Sequence, residues 1–307
     1  MTDQPFTIDP LLPPAMAAKA EDLGVKKAAL PILNMFMLAI LAGAFIGIGA
    51  IFATTAAAGS MSVRDAAGAV TFTTGLPYGV VRVITGLVFS TGLILVIVGG
   101  AELFTGNNLI SMAFASGKVT VGGLLGNWVV VYVGNFVGSI LTAAIVFLGK
   151  QYIFGGGAIG LTALNIGELK SSYGFIQAVA LGIMCNALVC MAVWLCYSAR
   201  STTDKILAII PPIACFVAAG FEHSIANMYF IPEALFIKYG ADAKFFEAIG
   251  KTAADFPNLT WANFFIKNLV PVTIGNIIGG AVMVGLVYWF VYLRKSKAAK
   301  TLAGQKA

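Results

Sequence analysis

The stretch Gly220-Phe221-Glu222-His223-Ser224-Ile225-Ala226-Asn227-Met228 decides how this chain folds. It places a glutamate and the only histidine of 307 residues inside a long apolar segment. Ionisable groups at membrane depth cost roughly 2.5–3.5 kcal/mol on insertion scales, and they usually face a pathway instead of lipid. The stretch therefore indicates a transport site. The alternative is a core histidine satisfied by a backbone carbonyl.

The composition around this stretch is that of an integral membrane protein. Mean hydropathy is +0.91, and only 10% of the residues are charged, against about 25% in soluble domains. The 35 glycines favour close helix packing or interrupted helices. The formal charge of +6 is spread over short loops and tails without a long basic run, so nucleic-acid binding is not indicated.

The cysteines do not form a metal or redox motif. All four lie in apolar segments without a Cys-x-x-Cys spacing, and we expect buried free thiols at Cys185, Cys190, Cys196 and Cys215. No metal, cofactor or catalytic residue is expected.

Apolar runs of about the length that crosses a bilayer occur six times. They cover about residues 34–58, 83–115, 124–148, 175–197, 206–236 and 264–293. Polar residues interrupt the second run at 102–108 and the fifth at 222–227. The pattern predicts an all-α membrane protein with six transmembrane helices, two of them broken.

The rest of the chain divides into leader, loops and tail. Residues 1–33 form an N-terminal segment with an amphipathic helix at about 14–30, which contacts either the membrane surface or a pore mouth. Residues 34–293 form one transmembrane channel domain, in which the glycine-rich stretch after the third span is a loop carrying Glu168 and Lys170. Residues 294–307 form a basic tail.

The basic residues predict the orientation. An even number of spans puts both termini on one side, and that side holds most of the loop and tail lysines and arginines: Lys19, Lys26, Lys27, Lys118, Arg200, Lys205, Arg294, Lys295, Lys297 and Lys300. The positive-inside bias therefore places both termini in the cytoplasm.

Two sequence echoes indicate an internal repeat. Gly100-Ala101-Glu102 to Asn107 matches Gly220-Phe221-Glu222 to Asn227, and Val131 to Gly138 matches Val272 to Gly279. The halves, about 34–149 and 173–293, each contain three spans, so the second half enters the membrane in the opposite sense. These are inverted three-helix repeats, whose half-helix N-termini carry partial positive charge that favours a small anion.

The glutamates of the two breaks need a separate explanation, because a carboxylate beside an anion path repels the solute. We expect Glu102 and Glu222 to point into hydrogen-bond donors, and to act with Asn107 and Asn227 as structural pins. This role is favoured over a catalytic one.

These motifs together resemble the formate/nitrite transporter family nearly end to end. The segments that carry the resemblance are Asp9 to Ala17, Glu102 to Gly106, Asn186 to Cys190, Gly220 to Met228 and Pro271 to Asn276. The leader and Phe221 to Met228 are closer to the formate branch, whereas Gly106-Asn107-Asn108 is closer to the nitrite branch.

The resemblance implies an aquaporin-like fold and a homopentamer with one pore per protomer in the bacterial cytoplasmic (inner) membrane. It implies a pH-sensitive channel for formate and similar small monovalent anions, acetate among them. The alternative is a nitrite or hydrosulfide channel of the same family. The N-terminal helix is associated with gating at the cytoplasmic mouth.

The resemblance also implies roles for individual side chains. His223 is the central pore histidine, and Thr105 is the polar residue on the opposing break. Apolar constrictions are formed by Phe89, Leu93 and Phe216, with Leu103, Phe104 and Val189 near them. Supporting polar positions are Lys170 at the outer vestibule, and Asn186 and Asn276 as hydrogen-bonding residues.

These roles give a mechanism and two competing functions. We expect His223 to rest neutral and to donate a hydrogen bond or a proton to the anion. A membrane enzyme using His223 and Glu222 as acid and base would need a nucleophile or cofactor motif, and none is present. An aquaglyceroporin would normally show two Asn-Pro-Ala elements, and neither break contains proline.

Overall fold

A computed structural model describes residues 10–59, 62–64, 70–73 and 76–294. Asp9 of the leader motif lies outside the described residues, as do the tail lysines Lys295, Lys297 and Lys300. The elements in chain order are α1 (Pro13–Ala28), α2 (Ile32–Ala57), β1 (Ser62–Arg64), β2 (Val70–Thr73), α3 (Tyr78–Gly99), α4 (Phe104–Asn107), α5 (Ile110–Ala115), α6 (Val121–Leu148), α7 (Ala158–Ser172), α8 (Phe175–Ser198), α9 (Thr202–Ala219), α10 (Ser224–Gly240), α11 (Ala243–Ala248) and α12 (Trp261–Leu293).

Within the described ranges, six helices are long and apolar enough to cross a membrane: α2, α3, α6, α8, α9 and α12. The prediction of a helical protein with six spans is confirmed. The polar stretch between the first two spans contributes β1 and β2, which pair as a short antiparallel hairpin that was not predicted. The last span, α12, has π-helical hydrogen bonding over much of its length.

The helical path stops at two matching positions. α3 ends before Gly100 and α9 ends before Gly220, and these glycines have φ of 76° and 78°. Glycine adopts this left-handed conformation without the Cβ penalty of other residues. The chain then runs extended for three residues, and helix resumes at Phe104 and at Ser224. Both stops lie where the sequence predicts an interruption.

Glycines let α2 pack against α6, and α8 against α12, at backbone contact. A Cβ on Gly138 of α6 would overlap the carbonyl of Ile40, and a Cβ on Gly279 of α12 would overlap the carbonyl of Ile183. Without a hydrophobic drive between helices in lipid, such close contact supplies the attraction. The same packing therefore recurs in both halves of the chain.

One segment differs from its prediction. The stretch predicted as a loop carrying Glu168 and Lys170 is helix α7, whose Ile159, Leu161 and Leu164 are buried. The three glycines before it, Gly155–Gly157, all have positive φ and form the turn that starts the helix. The irregular segment therefore ends at Gly157, and α7 begins at the next residue.

The leader helix α1 packs on the protein. Its Met16, Ala17 and Ala20 are buried, and the Lys19 ammonium donates to the carbonyl of Tyr197 at 2.8 Å. The Glu21 carboxylate lies 2.6 Å from the ammonium of Lys118. This hydrogen bond raises the pKa of Lys118. The leader helix therefore packs on the helices of the membrane domain.

The thiols follow the expectation in three cases of four. Cys185, Cys190 and Cys196 are buried and free, whereas Cys215 is exposed. Cys215 lies on a face of α9 that no other described helix covers, so the prediction of a buried thiol is wrong there.

Candidate functional site at two interrupted helices

The two interruptions meet at a hydrogen bond between His223 and Thr105. The Nε2 atom of His223 lies 2.9 Å from Oγ1 of Thr105, and both side chains are buried. The Nδ1 atom accepts the backbone N–H of Ala226 at 3.0 Å and so caps the start of α10. A neutral imidazole carries one N–H. Because Nδ1 is an acceptor, that proton lies on Nε2 and points at Thr105, which leaves the Thr105 hydroxyl hydrogen for another acceptor.

Apolar rings stack beside this pair. The Phe216 ring lies 5.9 Å from the His223 ring, centroid to centroid, and the Phe89 ring meets Phe216 edge-on at 5.7 Å. Leu93, Leu103 and Val189 are buried in the same apolar cluster. All six predicted constriction side chains are therefore buried in one apolar cluster, and the Phe216 ring contacts the imidazole.

Phe104 is placed differently. Its ring packs on α6, 4.9 Å from Tyr132 and 6.1 Å from Trp128, and lines an apolar cavity of about 650 Å³ between α6 and α12. Leu103, the preceding residue, lines a different cavity. Successive side chains diverge where the extended chain enters α4, so the Phe104 ring faces Tyr132 and Trp128 of α6.

The carboxylate of the first break points into donors. The Lys27 ammonium lies 2.6 Å from Oε1 of Glu102, and the Asn107 amide donates to Oε2 at 2.7 Å. Lys27 also donates to Oδ1 of Asn107 at 3.0 Å, and the Asn107 amide donates to Asn127 at 2.9 Å. These contacts join α1, the break and α6 in one network.

The carboxylate of the second break has the same kind of partners. The Lys170 ammonium lies 2.7 Å from Oε1 of Glu222, and the Asn227 amide donates to Oε2 at 2.7 Å. The Asn227 amide also donates to Asn268 on α12 at 2.8 Å. Lys170, expected at the outer vestibule, is thus an ion-pair partner with only 15% of its side chain exposed.

One asparagine holds the start of each helix that follows a break. Oδ1 of Asn135 accepts the Phe104 N–H at 2.9 Å, while its amide donates to the carbonyls of Ala39 and Glu102. Asn276 repeats the arrangement in the other half. Its Oδ1 accepts the Ser224 N–H, and its amide donates to the carbonyls of Gly182 and Glu222, all at 2.9 Å. Each asparagine satisfies backbone groups that the interruption leaves without helical partners.

The remaining predicted asparagine joins the two breaks. The Asn186 amide donates to the carbonyl of Asn276 at 2.7 Å, to Oδ1 of Asn108 at 3.0 Å and to the carbonyl of Thr105 at 3.3 Å. The relative position of Thr105 and His223 therefore rests on a buried polar network, in which each partner holds the others.

Removing one of these asparagines should be strongly destabilising. Asn276→Ala leaves one N–H and two carbonyls without their partner, and each unpaired buried group costs about 1–3 kcal/mol. We expect a clear drop in the unfolding temperature in detergent, with Asn135→Ala behaving alike. Asn263→Ala is the matched control, because that amide donates only to the carbonyl of Asn258 outside the core. Equal unfolding temperatures for Asn276→Ala and Asn263→Ala would contradict this assignment.

A cavity of about 550 Å³ opens on the α1 side of the first break. Leu93 and Leu103 lie at its apolar end, and its charged lining residues are Glu102, Lys19, Lys26, Lys27 and Lys205. Burial and then the nearby charges of Lys205 and Arg200 lower the pKa of Lys19. Among the described lining residues four cations thus face one carboxylate, so the charged groups around this cavity are positive in sum.

Sequence reasoning gave no site role to four residues of these networks: Lys27, Asn127, Asn135 and Asn268. The asparagines carried a signal, because Asn127 and Asn268 have the same spacing as Asn135 and Asn276. Lys27 and Lys170 have equivalent roles at the two breaks, but their separation in sequence differs from that of Glu102 and Glu222. The repeat therefore does not reveal the role of Lys27 from the sequence.

Comparisons with known proteins agree with this geometry. A family model described as formate/nitrite transporter matches residues 14–290. The formate channel FocA of Escherichia coli (strain K12) is 46% identical over 294 residues, which cover 96% of this chain and 98% of the relative. The formate channel FocA of Haemophilus influenzae is 39% identical over 267 residues, which cover 87% of this chain and 89% of the relative.

A solved structure described as a pentameric formate channel with formate bound superposes with a TM-score of 0.78 at 46% identity. The match covers 86% of this chain and 98% of that one. The relatives are channels, and the six apolar helices among the described residues make this chain a multi-pass membrane protein. It belongs to the formate/nitrite transporter family.

Proposed function

We propose that this chain forms a channel for formate and similar small monovalent anions in the bacterial cytoplasmic (inner) membrane, with His223 at the centre of the pore. The observation that carries the proposal is the buried His223–Thr105 hydrogen bond, which presents donors among apolar rings where two interrupted helices meet. The family and its formate-channel relatives support formate as the solute.

The proposed architecture is an inverted repeat of the aquaporin type. It is supported by the matching partners at the two breaks: Lys27 and Lys170 on the glutamates, and Asn135 and Asn276 on the resumed helices. Each half contains three spans, so equivalent helices cross the membrane in opposite senses. Residues 34–293 then form one channel domain with a mouth at each break.

Permeation starts with attraction at the positively charged mouth, after which the apolar rings strip the solute of water. Hydrogen bonds to a charged partner are worth about 1.5–3 kcal/mol each, and they offset part of the lost hydration. The Thr105 hydroxyl and the Nε2–H of His223 are the donors placed for this. Larger ions that keep their water shell do not pass the rings of Phe89 and Phe216.

The hydrogen bond that caps α10 restricts protonation of the His223 ring. A second proton on the ring would have to bind Nδ1, which already accepts the Ala226 N–H. Hydrogen-bond donation from Nε2 needs no such change. Proton transfer to the anion therefore requires the cap bond to break, which couples protonation to movement at the start of α10 and makes the flux sensitive to pH.

We place both termini in the cytoplasm and the second break toward the outside. The lysines Lys19, Lys26, Lys27, Lys118 and Lys205 all lie at the α1 end of the molecule, as the positive-inside rule requires. The solved relative is pentameric, which supports a homopentamer with one pore in each protomer.

Purified protein in proteoliposomes tests the solute class. We expect formate, and also nitrite and acetate, to carry current down a gradient, because each is a small monovalent anion. Empty liposomes control for leak, and glycerol uptake tests the neutral-solute alternative. Glycerol permeation without anion current would overturn the proposal.

A further inference from the structure

Glu233 is a buried carboxyl that the proposed channel mechanism does not use. It lies on α10 ten residues after His223, which is about 15 Å along a helix, and is 2% exposed. Among the described residues, neither its Oε2 nor the hydroxyl of Tyr229, buried one turn earlier on the same helix face, makes a hydrogen bond of ordinary length, and the two side chains interact with each other. Unpaired polar groups inside a membrane protein call for a functional explanation.

No neighbouring helix supplies a counter-charge for this carboxyl. The spans α2 and α6, which pack on α10, contain no charged residue. Helix α7 brings Glu168 and Lys170. Glu168 accepts the N–H groups of Asn258 and Leu259, and Lys170 is paired with Glu222.

The remaining charged and titratable groups near α10 are also committed elsewhere. Lys238 donates to the carbonyls of Phe256 and Leu259 at 2.7 and 2.9 Å. Lys267 of α12 is exposed, and the Tyr152 ring stacks on Phe147. An ion pair with Glu233 is therefore not available from the described residues.

The surroundings also do not favour a bound metal ion. A Cβ added to Gly47 of α2 would lie 3.1 Å from the Tyr229 ring and 3.0 Å from the Thr142 methyl group, so the three helices are in direct contact there. No three His, Cys, Asp or Glu side chains come together in the described part of the chain. A proton is a ligand that fits a buried carboxyl beside a hydroxyl.

We propose that Glu233 and Tyr229 form a buried proton-binding site, in which the Glu233 carboxyl is protonated and donates its O–H to the Tyr229 hydroxyl or to the carbonyl one turn earlier. A protonated carboxyl can donate to either acceptor, and it can accept the Tyr229 O–H in return. Loss of the proton leaves a carboxylate without a counter-charge between α10, α2 and α6, and one hydroxyl donor does not offset the cost of burying it. Deprotonation therefore loosens α10, the helix whose first turn holds His223.

Infrared spectroscopy of the full-length protein tests the protonation state. At neutral pH the wild type should show a protonated-carboxyl stretching band that shifts on deuteration and disappears in Glu233→Gln. Tyr229→Phe should keep the band at a shifted frequency. Glu247→Gln, at an exposed position, is the matched control and should leave the band unchanged. A difference spectrum of wild type minus Glu233→Gln with only ionised-carboxylate bands would overturn the proposal.

Thermal unfolding in detergent gives a second readout. The folded state holds a proton that the unfolded chain, with an ordinary carboxyl pKa of about 4.3, releases, so wild-type stability should fall as the pH rises above about 4.3, and the fall should end where the folded-state carboxyl loses its proton. Glu233→Gln has no such proton and should show a smaller fall. Equal pH dependence in the two proteins would contradict a protonated Glu233.

Discussion

The substitution His223→Asn is expected to abolish the pH dependence of formate flux and to lower the flux by roughly tenfold to a hundredfold. The loss corresponds to one hydrogen bond to a charged partner, about 1.5–3 kcal/mol. Asparagine is among the best N-cap residues, so the start of α10 should keep its cap. What disappears is the Nε2–H that points at Thr105.

Two controls separate this chemical role from a structural one. Thr105→Val keeps the imidazole and removes only the hydroxyl, and it should reduce flux while leaving a pH response. The unfolding temperature of His223→Asn in detergent should stay close to that of the wild type. A pH dependence of formate flux that is the same in His223→Asn and in wild type would reject the central role of this histidine.

Lys170→Met should destabilise the protein by about 3–5 kcal/mol, the usual result of removing one partner of a buried ion pair. Glu222 is then left as a carboxylate with 2% of its side chain exposed. The double variant Lys170→Met with Glu222→Gln removes both charges and should recover most of the lost stability. Thermal unfolding of the four proteins in detergent measures the coupling between the two side chains.

The first half provides the matched comparison. Lys27, the partner of Glu102, has 32% of its side chain exposed, against 15% for Lys170. Water can solvate the Glu102 site more readily, so Lys27→Met should cost less than Lys170→Met. A double variant at the second break that is as unstable as the sum of its two single variants would show that the pair is not coupled.

The spans and the positions of the polar interruptions could be predicted from the sequence, because both depend on local composition. A run of about 20 apolar residues has few alternatives to a membrane helix. Polar residues placed inside such a run, as in 102–108 and 222–227, must either line a cavity or be satisfied by other protein groups. The glycines at positions 100 and 220 directly follow the last residues of α3 and α9.

Other features depend on the folded chain and were missed or misplaced. Helix α7 reads as a loop because its three preceding glycines and its two charges outweigh its short apolar face. The contact of Lys27 with Glu102 joins residues 75 positions apart, and only the docking of α1 brings them together. The direction of Phe104 is set by where the extended chain turns into α4, which composition does not specify.

The ammonium that neutralises Glu102 belongs to the leader helix α1, not to the six-span body. A leader that swings off the vestibule takes this charge away, together with those of Lys19 and Lys26. The cavity at the first break would then be wider, and it would attract anions less strongly because Lys205 is the one lysine left in its described lining. In the proposed channel, steric opening and attraction of anions would therefore be opposed, and we expect a shortened chain that begins at α2 to conduct less formate through a larger opening.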